Sequence, residues 1–262
     1  MQLNKKALYI TVILAILSIV ASPSKASDST QLSYRITAGL AVGTDIGGAV
    51  PYPLSNIPSP FNAYPQLKPS IGGRVAMSLE NGWSVGAEVT YKNIGMKADA
   101  RVKNQKFNMN GTDVYFTGSA KMNMNFVILE IPLYAKYQFR KGNDNVLAGI
   151  YYSHTFSSSF EASPQKGFIG PVPDLVEIMD VSDVTMNFND DLDKWDMGFL
   201  IGYERKIIDR LNIGLRFSMG FKDIFKPSSG YFEYKMLPMR GSITLSYDLA
   251  KTKQLFGLKT DK

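Results

Sequence analysis

Residues 211–221, LNIGLRFSMGF, place Leu211, Ile213, Leu215, Phe217, Met219 and Phe221 on one set of alternate positions. Asn212, Gly214, Arg216, Ser218 and Gly220 occupy the other set. A helix of period 3.6 cannot sort residues in this way, whereas a strand of period two does. The same alternation recurs over eight stretches, residues 33–43, 70–80, 83–92, 125–139, 145–156, 195–204, 211–221 and 240–249. Each is long enough to cross a bilayer at a tilt. The apolar sets include Ile36, Leu40 and Val42, then Val85 and Val89, then Leu129, Ile131 and Leu133, then Phe199 and Ile201, then Ile243, Leu245 and Leu249. The opposite sets hold glycine and charge, which is the signature of strands whose outer face meets lipid and whose inner face does not.

The connections between these stretches alternate in length. Residues 80–82, 140–144 and 206–210 are tight turns, while 44–69, 93–124, 157–194 and 222–239 are long. Short periplasmic turns and long extracellular loops are the outer-membrane rule, and an even number of strands returns both ends to the periplasm. The expected fold is therefore all-β, an eight-stranded antiparallel up-and-down transmembrane β-barrel, occupying residues 27–262. Ahead of it, Lys5 and Lys6 precede an apolar run that ends in Ser24-Lys25-Ala26. Residues 1–26 read as a secretory signal peptide cleaved near Ala26, because the apolar run is short for a spanning helix.

Aromatic side chains give a second test of the topology. Tyr34, Trp83, Tyr137, Phe139, Tyr203 and Tyr247 fall at the ends next to the short turns or the termini. Tyr91, Tyr152, Phe156, Trp195 and Phe221 fall at the ends next to the long connections. Two girdles at the membrane surfaces are the expected result.

Composition and charge narrow the class further. The chain has no cysteine, which excludes disulfides, thiolate metal sites and lipid attachment through a thiol. Its formal charge of +6 includes Lys5, Lys6 and Lys25 of the leader, so the remaining excess is too small for a nucleic-acid surface. On the inward positions Arg35, Arg74, Lys92, Lys136, Arg216 and Arg240 face Glu88, Glu130, Asp196, Glu204 and Asp248. An eight-stranded ring is just wide enough for its own side chains, so the expectation is a plugged interior of paired charges. A selective pore would show one sign of charge. Slipping the register by one residue would turn these groups to lipid at about 2–4 kcal/mol each, which fixes the pairing.

Residues 129–139, LEIPLYAKYQF, followed by a tight turn and LAGIYYS, resemble the PorT-like family of small outer-membrane β-barrel proteins, of OmpA/OmpX-type architecture. DMGFLIGYE at 196–204 and GLRFSMGFKDIF later in the chain are similar to that family's second half. The resemblance spans residues 31–249 and implies a barrel in the outer membrane of a Gram-negative bacterium. Founding members are linked to protein secretion and surface gliding systems. Pro132 lies inside the fourth stretch and cannot donate to a ladder, which counts against a central strand unless a bulge sits there; the resemblance implies a tolerated irregularity.

Candidate chemistry is sparse. His154 is the single histidine, and 154–157, HTFS, lacks the close serine pairing of a lipid-modifying hydrolase or transferase. It reads as a girdle or loop-base residue. Asp174, Glu177, Asp180, Asp183, Asp190, Asp191 and Asp193 crowd one long connection without the glycine-pivoted spacing of a calcium loop. No catalytic, cofactor or metal residue is assigned. The expected protein is a monomeric, non-enzymatic barrel with structural, adhesive or secretion-associated work in its external connections; a small channel and a lipid-modifying enzyme are the alternatives. Its expected partners are outer-membrane lipid and lipopolysaccharide, the barrel assembly machinery and a surface or secretion-system protein, with no nucleic acid.

Overall fold

The computed structural model describes residues 33–109, 111–139, 142–174, 185–229 and 232–255. The leader falls outside these residues. Ten strands follow in chain order: β1 Ser33–Tyr52, β2 Phe61–Gln66, β3 Pro69–Ser78, β4 Trp83–Met109 and β5 Thr112–Phe139, then β6 Asp144–Gly170, β7 Met186–Asn187, β8 Trp195–Ile208, β9 Leu211–Gly220 and β10 Lys235–Leu255. Eight of them, β1, β3, β4, β5, β6, β8, β9 and β10, each pair antiparallel with the next, and β10 pairs back to β1. The sheet is a closed up-and-down ring. No backbone edge is left for lipid to cover. The two short strands lie beyond this ring, β2 on β4 and β7 on β6.

The expected register holds across the lipid-facing band. Trp83 lies opposite Tyr137, Arg74 opposite Glu88, and Gly202 opposite Arg216. Leu40, Ile71, Leu133, Ile150, Ile201 and Leu215 are all at least half exposed, so the outer surface is apolar. In water such a band would be a large exposed patch; against hydrocarbon it is the required surface.

The long connections contain far more strand than the alternation alone marked. β4 runs on from 92 to Met109, β5 begins at Thr112, and β6 continues to Gly170. Along β4 the alternation keeps its phase but exchanges its faces. Up to Lys92 the buried positions are Glu88, Thr90 and Lys92. Beyond it they are Ile94, Met96, Ala98 and Ala100, while Lys97 and Arg101 point to the exposed side. The physical cause is the change of surroundings from hydrocarbon to water at the girdle. Reading apolar residues as outward throughout ends the strands where polarity inverts, which is why residues 93–124 and 157–194 read as loops.

Above the girdle the ring therefore encloses a hydrophobic core. Ala49, Met96, Met124, Phe160, Phe188, Leu192, Ile224, Phe225 and Met236 form one buried cluster. Phe160 is 1 % exposed, and its ring lies 5.2 Å from Phe188 and 5.7 Å from Phe225. Phe188 and Leu192 come from the segment between β7 and β8, and Ile224 and Phe225 from that between β9 and β10. Backbone bonds tie these segments to the strands, with Phe188 N–H donating to the Phe160 carbonyl at 3.0 Å and Ile224 N–H to the Met236 carbonyl at 2.9 Å. Phe160 N–H in turn donates to Asn189 Oδ1 at 2.8 Å.

Among the irregularities of the ring, those at Phe156 and Pro132 lie in its membrane-facing part. At Phe156 one residue of β6 is extra, since Ile128 opposes Thr155 and Val127 opposes Ser157. This bulge keeps Phe156 exposed at the girdle and turns Phe160 inward. Pro132 is an irregularity that the strand tolerates without a bulge. The pairing of β4 with β5 lapses beside it and resumes in the same register, Ala87 with Leu133 and Thr90 with Glu130. The lost donor costs ladder pairs but creates no bulge, because Pro132 keeps its place opposite Tyr151 on β6.

Candidate functional site

The lumen of the membrane band is filled by ion pairs in three groups. In the first, Arg74 donates to Glu204 at 2.8 Å, to Ser246 Oγ at 2.5 Å and to Asp248 at 3.3 Å. Lys136 joins it by donating to the other Glu204 oxygen at 2.7 Å. In the second, the Arg216 guanidinium grips both oxygens of Glu88 at 2.7 and 2.6 Å, and the Tyr134 hydroxyl donates to Glu88 at 2.8 Å. In the third, Lys92 bridges Glu130 and Asp45, each at 2.9 Å, and Arg240 donates to the second Glu130 oxygen. The Tyr151 hydroxyl donates to Asp196 at 2.6 Å beneath the Arg240 guanidinium.

These side chains are buried, with Glu204 2 % exposed and Glu88, Glu130 and Arg240 each 4 %. Charges taken so far from water survive only when each finds its counter-ion and further hydrogen bonds. Bidentate pairs such as Arg216 with Glu88 supply both. Glycines on the inward face make room. A Cβ at Gly86 would lie 2.6 Å from the Tyr134 ring, and one at Gly198 would lie 2.7 Å from the Tyr151 ring. The alternating glycines are thus the space into which the two phenols fold.

The expected lumen charges meet in ion pairs except Asp196, which accepts from the Tyr151 hydroxyl, and Arg35. It lies at the start of β1, exposed, outside the network, because the ring there has reached its rim and water replaces the buried counter-ions. Asp45 takes a place in the network instead and is 1 % exposed. Asp45 lies beyond the first alternating stretch, which ends at Gly43, although Gly43, Asp45 and Gly47 continue the same alternate positions. Tyr134 and Tyr151 were equally hidden, since nothing in the pattern distinguishes an inward tyrosine that closes an ionic cluster from one that fills space.

The aromatic girdles form at both rims. Trp83 packs on Tyr137 at 5.0 Å, with Phe139, Tyr203 and the exposed Tyr247 at the same end of the ring. The Tyr203 hydroxyl donates to Asp144. At the other rim Tyr91 meets Phe156 at 6.5 Å, Tyr152 stacks on Trp195 at 6.5 Å, and Phe221 meets Phe199 at 5.9 Å. The side chain of Tyr34 falls outside the described residues. Lys222 sits over the Trp195 ring at 3.7 Å and pairs with Asp193, fixing an ionic group on the upper girdle.

His154 lies in this girdle, edge-on to Phe156 at 5.4 Å, opposite Leu129 on one side and Trp195 on the other. The acidic residues of the long connection are dispersed. Asp193 pairs with Lys222, Asp174 accepts from Asn104, and Glu177, Asp180 and Asp183 fall outside the described residues. Among the described residues no group of three acidic, histidine or cysteine side chains has the arrangement to hold a metal ion.

A closed antiparallel ring with a lipid-facing apolar band, two aromatic girdles and an ionic interior defines a transmembrane β-barrel. The sequence pattern of the outer membrane protein beta-barrel domain matches residues 26–226. The chain belongs to that family, and its place is the outer membrane of a Gram-negative bacterium. No curated protein matches it in sequence. Among solved structures it is similar to Ail, the attachment invasion locus protein of Yersinia pestis, in complex with the heparin analogue sucrose octasulfate, at 8 % identity over 85 % of this chain and 100 % of that one, with a TM-score of 0.34. It is also similar to Neisserial surface protein A, at 10 % identity over 82 % and 97 % of the two chains and a TM-score of 0.28. The outer membrane protein OprG from Pseudomonas aeruginosa matches at 12 % identity over 84 % and 95 %, with a TM-score of 0.28.

Proposed function

We propose that this protein is a non-conducting outer-membrane barrel that works at the cell surface through its external half, as an adhesion or secretion-associated protein. One observation carries the reading: the lumen is occupied by buried ion pairs, and the buried apolar cluster of Met96, Met124, Phe160 and Phe225 stands directly above them. A path for ions would have to break buried pairs and then cross a dry core. What remains available for work is the outside of the external half, where Lys97, Arg101, Lys121 and Lys166 are exposed. The strand motifs that resemble the PorT-like family support the secretion-linked form of this reading. Within the reading, the girdles and Lys222 meet outer-membrane lipid and lipopolysaccharide, the assembly machinery inserts the ring, and a surface or secretion-system protein engages the external half. The ring closes within one chain, so a monomer suffices.

The test has two parts. Purified protein in planar bilayers is expected to give no discrete openings, and a stepwise conductance would overturn the closed-lumen reading. A variant with the β4–β5 hairpin shortened beyond Lys97 and Asn123 is expected to keep a heat-modifiable barrel and lose surface binding or secretion by cells. Cells that retain every such phenotype would remove the external half from the function.

A further inference from the structure

The external half holds an internal space that neither the ionic lumen nor the lipid band explains. A cavity of about 90 Å³ lies within the apolar core, lined by Phe116, Met122, Met124, Phe160, Phe188 and Tyr234 among others. Well-packed interiors contain few voids larger than a water molecule. This one exceeds that, and its lining is almost wholly hydrocarbon, thioether and aromatic ring. Water gains nothing there, because a buried water needs two to four polar partners. The polar groups at its margin are Tyr234 and Gln105, whose hydroxyl and amide oxygen are 3.4 Å apart, a long bond.

Three further features make the space suited to an occupant. Met122, Met124, Met186 and Met236 contribute to the wall, and methionine, unbranched and polarizable, reshapes around what it contacts. Pro51 and Pro58, from the end of β1 and the segment that follows it, and Pro164 of β6 stand in the wall. The cavity also lies above the upper girdle, in the polarity-inverted part of β4, β5 and β6, so a molecule outside the cell reaches it without crossing hydrocarbon.

From this we infer that the external half binds a small apolar molecule, of the size of one aromatic ring with a single hydroxyl, between the Phe160–Met124 wall and the Tyr234–Gln105 pair. A single ring fits the scale, since an engineered apolar cavity of about 150 Å³ takes benzene and the methionines here allow some expansion. A single hydroxyl fits the polar margin, where it accepts from the Tyr234 hydroxyl or donates to Gln105 Oε1. The inference stands apart from the adhesion or secretion reading and does not depend on it.

Phenol is the probe. The full chain is placed in nanodiscs of dimyristoylphosphatidylcholine with ¹³C-methyl methionine, and phenol is titrated while methyl resonances are followed. The expected result is saturable shifts confined to Met122, Met124, Met186 and Met236, with lipid-facing Met197 moving only linearly. Ala162→Leu fills the cavity and is expected to weaken binding by about tenfold or more, while keeping the heat-modifiable barrel. Gln105→Leu is expected to erase the preference for phenol over benzene. Linear shifts shared equally with Met197 would show partition into lipid and overturn the inference. Unchanged affinity in a folded Ala162→Leu variant would overturn it as well.

Discussion

The membrane band and the external half of this barrel are built from the same strands with opposite inside-out order. Below the upper girdle, β4 buries Glu88 and Lys92 and shows Val85 to the outside; above it, the same alternate positions bury Met96 and Ala98 and show Lys97. The difference teaches that a strand specifies only which residues share a face. The medium on either side specifies which face is apolar. The membrane band must hide charge from hydrocarbon, so its interior is held by geometry-dependent ion pairs. The external half meets water, so its interior is held by apolar contact, and segments between strands fold in to complete it.

Removing one partner from the ionic interior sharpens this contrast most. Glu130→Ala leaves Arg240 and Lys92 without their shared counter-ion, and the expected loss is about 3–5 kcal/mol. It is read as a lower urea midpoint for the heat-modifiable band in detergent. Phe160→Ala, which empties the centre of the external core, carries a similar cost of about 3–5 kcal/mol. Its effect is expected in a different place: limited proteolysis above the girdle accelerates while the heat-modifiable band persists. If both variants lose the band at the same urea concentration, the two halves unfold as one unit and the contrast is structural only.

A matched pair of exterior substitutions probes the surroundings directly. Leu133→Lys puts a charge midway between the girdles and is expected to cost about 2–4 kcal/mol, seen as failed insertion into lipid vesicles. Lys97→Leu, on the outer face of the same sheet above the girdle, is expected to change stability by less than about 0.5 kcal/mol. Equal effects at the two sites would mean that both faces meet the same medium. Gly86→Ala intrudes on the Tyr134 ring and is expected to cost about 1–3 kcal/mol, with a shift in tyrosine absorbance as the phenol leaves Glu88.

The smallest expected effect is a pH dependence confined to the external half. Burial pushes the Asp223 carboxyl above its ordinary value of 3.8, although the Phe225 and Met236 N–H groups donate to it. The folded state thus favours the protonated form. That contribution is fully present below 3.8 and is lost as pH rises through the raised value. Asp223→Asn is expected to flatten this slope in proteolysis of the external half and to leave the pH response of the membrane band unchanged.

Much of this was legible in the chain. Alternation of Leu211 to Phe221 against Asn212 to Gly220 determined a strand, and charges sharing a face with glycines determined which side is the lumen. The alternation of short and long connections determined the ring and its orientation. These follow because a lipid-facing strand has only one tolerable face, so the local pattern carries the global constraint. The tertiary structure decided the rest. Which acid meets which base depends on neighbours such as Arg74 and Glu204, 130 residues apart, brought together by closure of the ring. The external core depends on whether Met96 and Phe160 face one another or water, and an alternating pattern reads the same in either case. The place of Asp45 depends on how far β1 runs past the membrane, and Arg35 on where the ring ends. Period two is a property of the backbone alone, whereas inside and outside belong to the closed sheet and the medium around it.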